Sequence, residues 1–294
     1  MSITLLDGGV GQELLHLSGA KPTGLWATKA MRDHPQALRA VHTGFFAAGA
    51  EIATANTYAI HRDRLDRAGQ GDQFEALQRM ACGIACEARD LHGSGRVAGA
   101  IGPLGWSYRP DMAPPLAEAV PLYAEVVALQ APLVDLLLIE TMGSVLEARS
   151  ALLAALPSGL PVWLAVTVSD DDGAQLRSGE PLRAILPLLR ALRPDALLVN
   201  CSPPEAVAAA LPILAQAGLP MGAYANGFVR VEPDYLDVFS SVDGLDSRTD
   251  LSPQDYARYA QDWVGCGASI IGGCCEVGPA HIQTLAQKFK AQTS

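Results

Sequence analysis

Six cysteines occur in this 294-residue chain, and three of them fall where sulfur could do chemistry. Cys274 and Cys275 are adjacent and directly follow Gly272-Gly273, while Cys201 lies upstream between Asn200 and Ser202. Neighbouring residues in a strand point to opposite faces, so both members of such a pair serve one site only where the strand ends. The two glycines supply that break and let backbone come close. A vicinal disulfide is the competing reading, disfavoured by its strain and by a reducing compartment. Cys201 taken alone reads as a small core hydrophobe. Three thiolates converging on one Zn²⁺ would leave a fourth position open, as catalytic zinc sites do. Such a centre deprotonates an incoming thiol and keeps its sulfur nucleophilic. It suits attack by sulfur on an electrophilic carbon better than activation of water.

Positioning these residues falls to a regular alternation of elements. Apolar runs at Ile3–Leu6, Glu51–Ala55, Val97–Ile101, Leu136–Ile139, Val162–Val168, Ala196–Val199, Met221–Tyr224 and Ser269–Ile271 read as strands buried on both faces. Amphipathic stretches at Pro35–Ala48, Gln73–Leu91, Leu116–Leu133, Val145–Leu156, Pro181–Leu192, Pro204–Ala217, Pro253–Val264 and Pro279–Phe289 separate or follow them. Several open on proline and close near glycine. Eight such units predict an α/β fold, a (β/α)₈ TIM barrel, as one domain over residues 1–294. A doubly wound open sheet is the runner-up, but no glycine-rich phosphate loop supports it. Barrel chemistry collects at the carboxyl ends of the strands. There the sequence puts Asp7, Gly8 and Gly9; Thr54 and Asn56; Gly102; Glu140 and Thr141; Ser169 and Asp170; Asn200 and Cys201; Asn226; and Gly273 to Cys275. Two long connections, 102–115 and 226–252, also follow strands.

The bulk numbers narrow the partners. With 31 acidic and 21 basic residues the net charge is −10, and no basic run offers a nucleic acid a footing. The N-terminus lacks the positive segment of a signal peptide, and the most apolar stretch, 151–168, is interrupted by Pro157, Gly159 and Pro161. A cytoplasmic protein with small-molecule substrates, without a membrane or nucleic-acid partner, is expected; the oligomeric state is not readable. Cys82 and Cys86 lie four apart on one helix face and read as packing, Cys266 as part of a turn, and His281 as a local hydrogen-bonding residue.

Leu6-Asp-Gly-Gly9 with Gly11, Gln12 and Glu13, then Leu25-Trp26, Thr54-Ala-Asn-Thr-Tyr58, Gly102-Pro103, Glu140-Thr141, Val199-Asn-Cys-Ser-Pro-Pro204 and Ile271-Gly-Gly-Cys-Cys275 together resemble the homocysteine S-methyltransferase family along essentially the whole chain. The resemblance implies that Cys201, Cys274 and Cys275 are zinc ligands. It further implies that Asp7 and Gly8 hold the amino-acid end of homocysteine, that Thr54 helps with its carboxylate, and that Glu140 receives its ammonium. Asn226 belongs to the same expected pocket. Glu276-Val277-Gly278 and Ala225-Asn226-Gly227-Phe228 depart from the family's usual segments, which leaves the donor open. A cationic methyl donor is expected, because an anionic zinc–thiolate centre attracts positive charge. Tyr58, Trp106 and Tyr108 are candidates to face that cation, and Arg109 to pair with a donor carboxylate. The short tail after the last helix ranks S-methylmethionine above betaine, with S-adenosylmethionine a further alternative, and the lack of a folate or cobalamin domain speaks against methyltetrahydrofolate.

Overall fold

The computed structural model describes residues 2–21, 24–25, 27–231 and 245–290. Eight parallel strands run β1 (Thr4–Leu5), β2 (Ile52–Thr54), β3 (Arg96–Ile101), β4 (Leu136–Met142), β5 (Val162–Val166), β6 (Ala196–Asn200), β7 (Met221–Tyr224) and β8 (Ala268–Ile271). Each pairs with its neighbour in sequence from β2 to β8, and β8 pairs with β1. A Leu6–Ile52 bridge joins β1 to β2, so the sheet closes and the open-sheet alternative falls away. All eight expected strands are present, with β4 running three residues further than expected.

Eleven α-helices surround the barrel: α1 (Val10–Ser18), α2 (Thr28–Asp33), α3 (Pro35–Ala47), α4 (Arg62–Arg67), α5 (Phe74–His92), α6 (Leu116–Gln130), α7 (Val145–Ala155), α8 (Ile185–Ala191), α9 (Pro204–Leu214), α10 (Pro253–Gly265) and α11 (Pro279–Phe289) among the described residues. Eight correspond to the expected amphipathic stretches. The additions are α1, α2 and α4, of which α2 and α4 have only six residues, too short for the apolar periodicity that signals a helix.

The continuous apolar character of the strands follows from burial on both faces. Leu137, Ile139, Leu164, Val166, Leu197 and Val199 pack outward in the shell under the helices. Leu136, Leu138, Trp163, Ala165, Ala196, Leu198 and Ile270 fill the barrel interior. This packed plug closes the barrel below the carboxyl rim. Among the described residues no helix is long and apolar enough to cross a membrane.

Candidate active site

The rim is shaped first by a bulge in β4. Ile139 pairs with Leu164 but Met142 with Val166, so three steps on β4 oppose two on β5. The extra residue falls at Glu140-Thr141, where Thr141 adopts a φ of +62°. A bulge re-aims side chains, and here both residues line the rim cavity. Asn200, fully buried at the end of β6, locks the distortion. Its Oδ1 accepts from the Thr141 N–H at 2.9 Å and its Nδ2 donates to Thr141 Oγ1 at 2.8 Å. Among the described residues the non-glycines with positive φ are Tyr108, Thr141, Cys201 and Glu276, all at this rim. Each such conformation costs about 1–2 kcal/mol, which surrounding contacts must offset.

The three sulfurs come together as expected, with Sγ atoms all within 4.8 Å of one another. Cys274 Sγ lies 2.7 Å and Cys275 Sγ 3.8 Å from Cys201 Sγ. The break after β8 is held from several sides. The Gly273 N–H donates to the Asp7 carbonyl and the Cys274 N–H to the Ala225 carbonyl, each at 2.9 Å. The Tyr256 hydroxyl donates to the Gly272 carbonyl at 2.7 Å. A Cβ on Gly273 would meet Val277 Cγ1 at 2.1 Å, so only glycine fits.

Burial pushes the Cys201 thiol up, but hydrogen bonds from Cys274, Cys275 and the Tyr108 hydroxyl outweigh it and hold Cys201 well below the usual thiol range. The Tyr108 hydroxyl donates to Cys201 Sγ at 2.9 Å. Hydrogen bonding to that thiolate is also what most raises Cys274 and Cys275. Two thiolates on one tetrahedral Zn²⁺ would sit about 3.8 Å apart, from Zn–S bonds of about 2.3 Å. The Cys201–Cys275 edge has that spacing, and the Cys201–Cys274 edge is shorter. Soft, converging and open on the cavity side, the donor set fits a divalent ion of zinc's kind.

Two carboxyls share the cavity. Glu140 is buried and accepts from the Tyr224 hydroxyl at 3.1 Å. Burial, reinforced by the negative charge on Cys201, raises it to about 8. Asp7 is raised to about 7 by burial, against the pull of two bonds from Thr54. The Thr54 N–H donates to Asp7 Oδ2 at 2.6 Å and its hydroxyl to Oδ1 at 2.7 Å. Thr54 lines the cavity, yet the backbone N–H expected to meet a substrate carboxylate is engaged by Asp7. Gly8 packs so tightly that a Cβ would stand 2.0 Å from the Val277 carbonyl oxygen. Beyond it Gly9, Val10, Gly11 and Gln12 bring the N-terminus of α1 onto the cavity wall; the Gly9 and Val10 N–H groups donate to the Val277 and Gly8 carbonyls, which leaves those of Gly11 and Gln12 to favour an anion.

The opposite wall departs from expectation. Tyr58, Trp106 and Tyr108 line the cavity, but each ring already meets one of the chain's own cations. Arg64 Cζ stands 5.8 Å from the Tyr58 ring centre and 6.0 Å from that of Trp106. Arg67 lies 5.2 Å from Trp106, and Arg177 4.9 Å from Tyr108. Arg109 does not line the cavity; it grips Asp111 at 2.8 and 2.7 Å. The cavity cation is Arg64 instead. Asn226 also stays off the wall, buried with its Oδ1 accepting from the Phe228 N–H at 3.2 Å.

Tyr224 and Arg64 are the site residues that the sequence reading passed over, and Asn200, placed at the rim, was given no role there. Tyr224 was detectable, since it points inward two residues after Gly222 on the same strand. Asp170 pairs with Arg177, both side chains under a tenth exposed. Cys82 packs in the core, Cys86 donates to the Leu133 carbonyl, and Cys266 is exposed where α10 ends. His281 Nδ1 accepts from the Gly278 N–H at 3.3 Å. Trp26 and residues 232–244 of the second long connection lie outside the described residues.

Residues 4–289 match the family described as homocysteine S-methyltransferase. A homocysteine S-methyltransferase of Escherichia coli (strain K12) is 31% identical, over 96% of this chain and 94% of its own length. A selenocysteine Se-methyltransferase of Brassica oleracea var. italica is 23% identical, over 99% and 90%. Among solved structures, the metallated form of the homocysteine methyltransferase MmuM from Escherichia coli superposes with a TM-score of 0.82 at 27% identity, covering 98% of this chain and 96% of that one.

Proposed function

Because the chain belongs to the homocysteine S-methyltransferase family, we propose that it transfers a methyl group from an onium donor, S-methylmethionine foremost, to the thiol of L-homocysteine, with zinc held by Cys201, Cys274 and Cys275. It is a methyltransferase and its product is methionine. Residues 1–294 act as one homocysteine-binding domain in this reading. The observation that carries it is the convergence of three sulfurs on the floor of a cavity that also holds Glu140 and Asp7.

Zinc bound there supplies a Lewis acid that favours the deprotonated, nucleophilic form of the substrate thiol. The protein does the rest. Glu140 takes the homocysteine ammonium as a charge-assisted acceptor. Gly8 and the Gly11 and Gln12 N–H groups in the first turn of α1 take its carboxylate, in place of the engaged Thr54 N–H. Tyr108 keeps negative charge on Cys201 through its O–H···S bond. The homocysteine sulfur attacks the donor methyl carbon in line. The old carbon–sulfonium bond breaks, its electron pair stays on the donor sulfur, and the thiol proton leaves to solvent. S-Methylmethionine thereby becomes a second, neutral methionine. No general base is needed at the transfer step, in keeping with a described cavity wall that contains no histidine. Most of the acceleration comes from alignment of the two substrates.

The test is the initial rate of methionine formation with zinc and homocysteine, offering S-methylmethionine, S-adenosylmethionine, betaine and dimethylsulfoniopropionate at equal concentration. The fastest transfer is expected from S-methylmethionine. A preference for betaine overturns the donor ranking, and no transfer from any onium overturns the onium reading in favour of a thiol-binding barrel.

A further inference from the structure

The cavity is electrically lopsided. Its floor holds three converging sulfurs with the carboxyl groups of Asp7 and Glu140, whereas Arg64 is the cation among the described residues of the wall. Arg64 is 5% exposed and forms no ion pair among the described residues. One Nη donates to the Pro103 carbonyl at 2.7 Å, but its Nε is buried with no acceptor. Beside it the Trp106 indole N–H is equally buried and unpartnered. On the loop after β2, Asn56 Nδ2 is in the same condition, and Asn56 lines the cavity too. Three orphaned donors on residues that line one cavity form a definite chemical pattern. A buried N–H left without an acceptor costs roughly 1–3 kcal/mol, and such groups in a native site point to a missing acceptor.

We infer that Arg64, Trp106 and Asn56 form a carboxylate-binding subsite for the methyl donor, which makes Arg64 the residue that selects an amino-acid onium over a simple alkyl onium. A zwitterionic donor fits this field in one orientation. Its sulfonium end meets the sulfur- and carboxyl-lined floor, beside the attacking sulfur, and its carboxylate reaches the Arg64 wall. An alkyl sulfonium without a carboxylate gains only the first of these attractions. The rings of Tyr58 and Trp106 act here as supports that hold the guanidinium in place, not as cages for the donor cation. Charge-assisted hydrogen bonds to a guanidinium fix a planar carboxylate in both distance and direction.

This inference rests on the proposed onium-dependent transfer, and the experiment separates the two. Steady-state rates are measured for the zinc-loaded enzyme with S-methylmethionine and with trimethylsulfonium, which has the reactive group but no carboxylate. Arg64→Gln should raise the KM for S-methylmethionine by about 10- to 100-fold and erode the preference over trimethylsulfonium by a similar factor. Trp106→Phe keeps the ring, removes only the N–H, and should raise the same KM by about 3- to 10-fold. Arg67→Gln, an exposed guanidinium on the same ring but off the cavity wall, serves as the control and should behave as the parent. The KM for homocysteine should stay within about twofold in every variant. If Arg64→Gln instead raises the KM for homocysteine, the subsite belongs to the acceptor and the inference is overturned. Equal losses with both donors reduce Arg64 to a structural strut and overturn it as well. Should Arg64→Gln fail to fold, Trp106→Phe decides alone. A parent enzyme inert with every onium refutes the underlying reading, whereas an active parent with indifferent variants refutes only the subsite.

Discussion

Glu140 offers the sharpest test, because its protonation and its proposed task conflict at neutral pH. Burial beside the Cys201 thiolate raises it to about 8, while receiving an ammonium requires the ionised form. A carboxyl with a raised pKa supplies its charge only above that pKa, so the contact is present above pH 8 and lost as pH falls. At pH 7 only about a tenth of empty sites hold the carboxylate, a penalty of about 1.4 kcal/mol on binding; at pH 6 it is about twice that. Methionine is the right probe, since it has the ammonium and carboxylate but no ionising thiol. Its affinity for the zinc-loaded enzyme, measured by calorimetry, should rise about tenfold from pH 6 to 7 and level off near pH 8.5. Glu140→Gln is isosteric, keeps an acceptor for Tyr224 and removes the titration. It should weaken binding at pH 8.5 by about 1.5–3 kcal/mol and differ little from the parent at pH 6. Asp7, raised to about 7, faces the same cavity; whatever slope survives in Glu140→Gln below pH 7 belongs to it. Zinc content should be unchanged. A parent profile that is flat, or a full slope that persists in Glu140→Gln, would refute the assignment of Glu140 to the ammonium.

Two other outcomes follow from the same geometry. Serine at Cys201, Cys274 or Cys275, one at a time, should cut zinc content and abolish transfer while leaving the circular dichroism spectrum intact, because the closed sheet does not depend on the ion; full activity in a zinc-free variant would sink the mechanism. Arg177→Met strands the buried Asp170 carboxylate and uncovers the Tyr108 ring. It should lower urea-denaturation stability by about 3–5 kcal/mol, with Asp170→Asn added to it recovering much of the loss; a loss under about 1 kcal/mol would show that the pair is not stabilising in this setting.

What the sequence reveals and what it hides divide along a physical line. Strands buried on both faces leave unbroken apolar runs, so the barrel and its rim positions are legible from residue order. The Gly-Gly break before Cys274-Cys275 is legible for the same reason, since it is a local backbone requirement visible in the letters. The β4 bulge is not legible. Nothing in Leu136–Met142 announces an extra residue, and Glu140 read simply as a residue beyond the strand. The bulge exists because Asn200, about sixty positions on, meets both the N–H and the hydroxyl of Thr141. Arg109 and Arg64 make the same point with charges. Both sit near aromatic residues in sequence, and nearness favoured Arg109, which has a loop carboxylate two residues away to satisfy it. Arg64 has no acidic partner among the described residues and is carried by α4, a helix of six residues that leaves no periodic trace. A short helix thus delivers the one cation among the described residues of the wall to a cavity whose floor holds three sulfurs and two carboxyl groups. The field that orients a zwitterion across that cavity is a product of tertiary placement: sequence supplies the charged residues, and the fold decides which of them remains unneutralised.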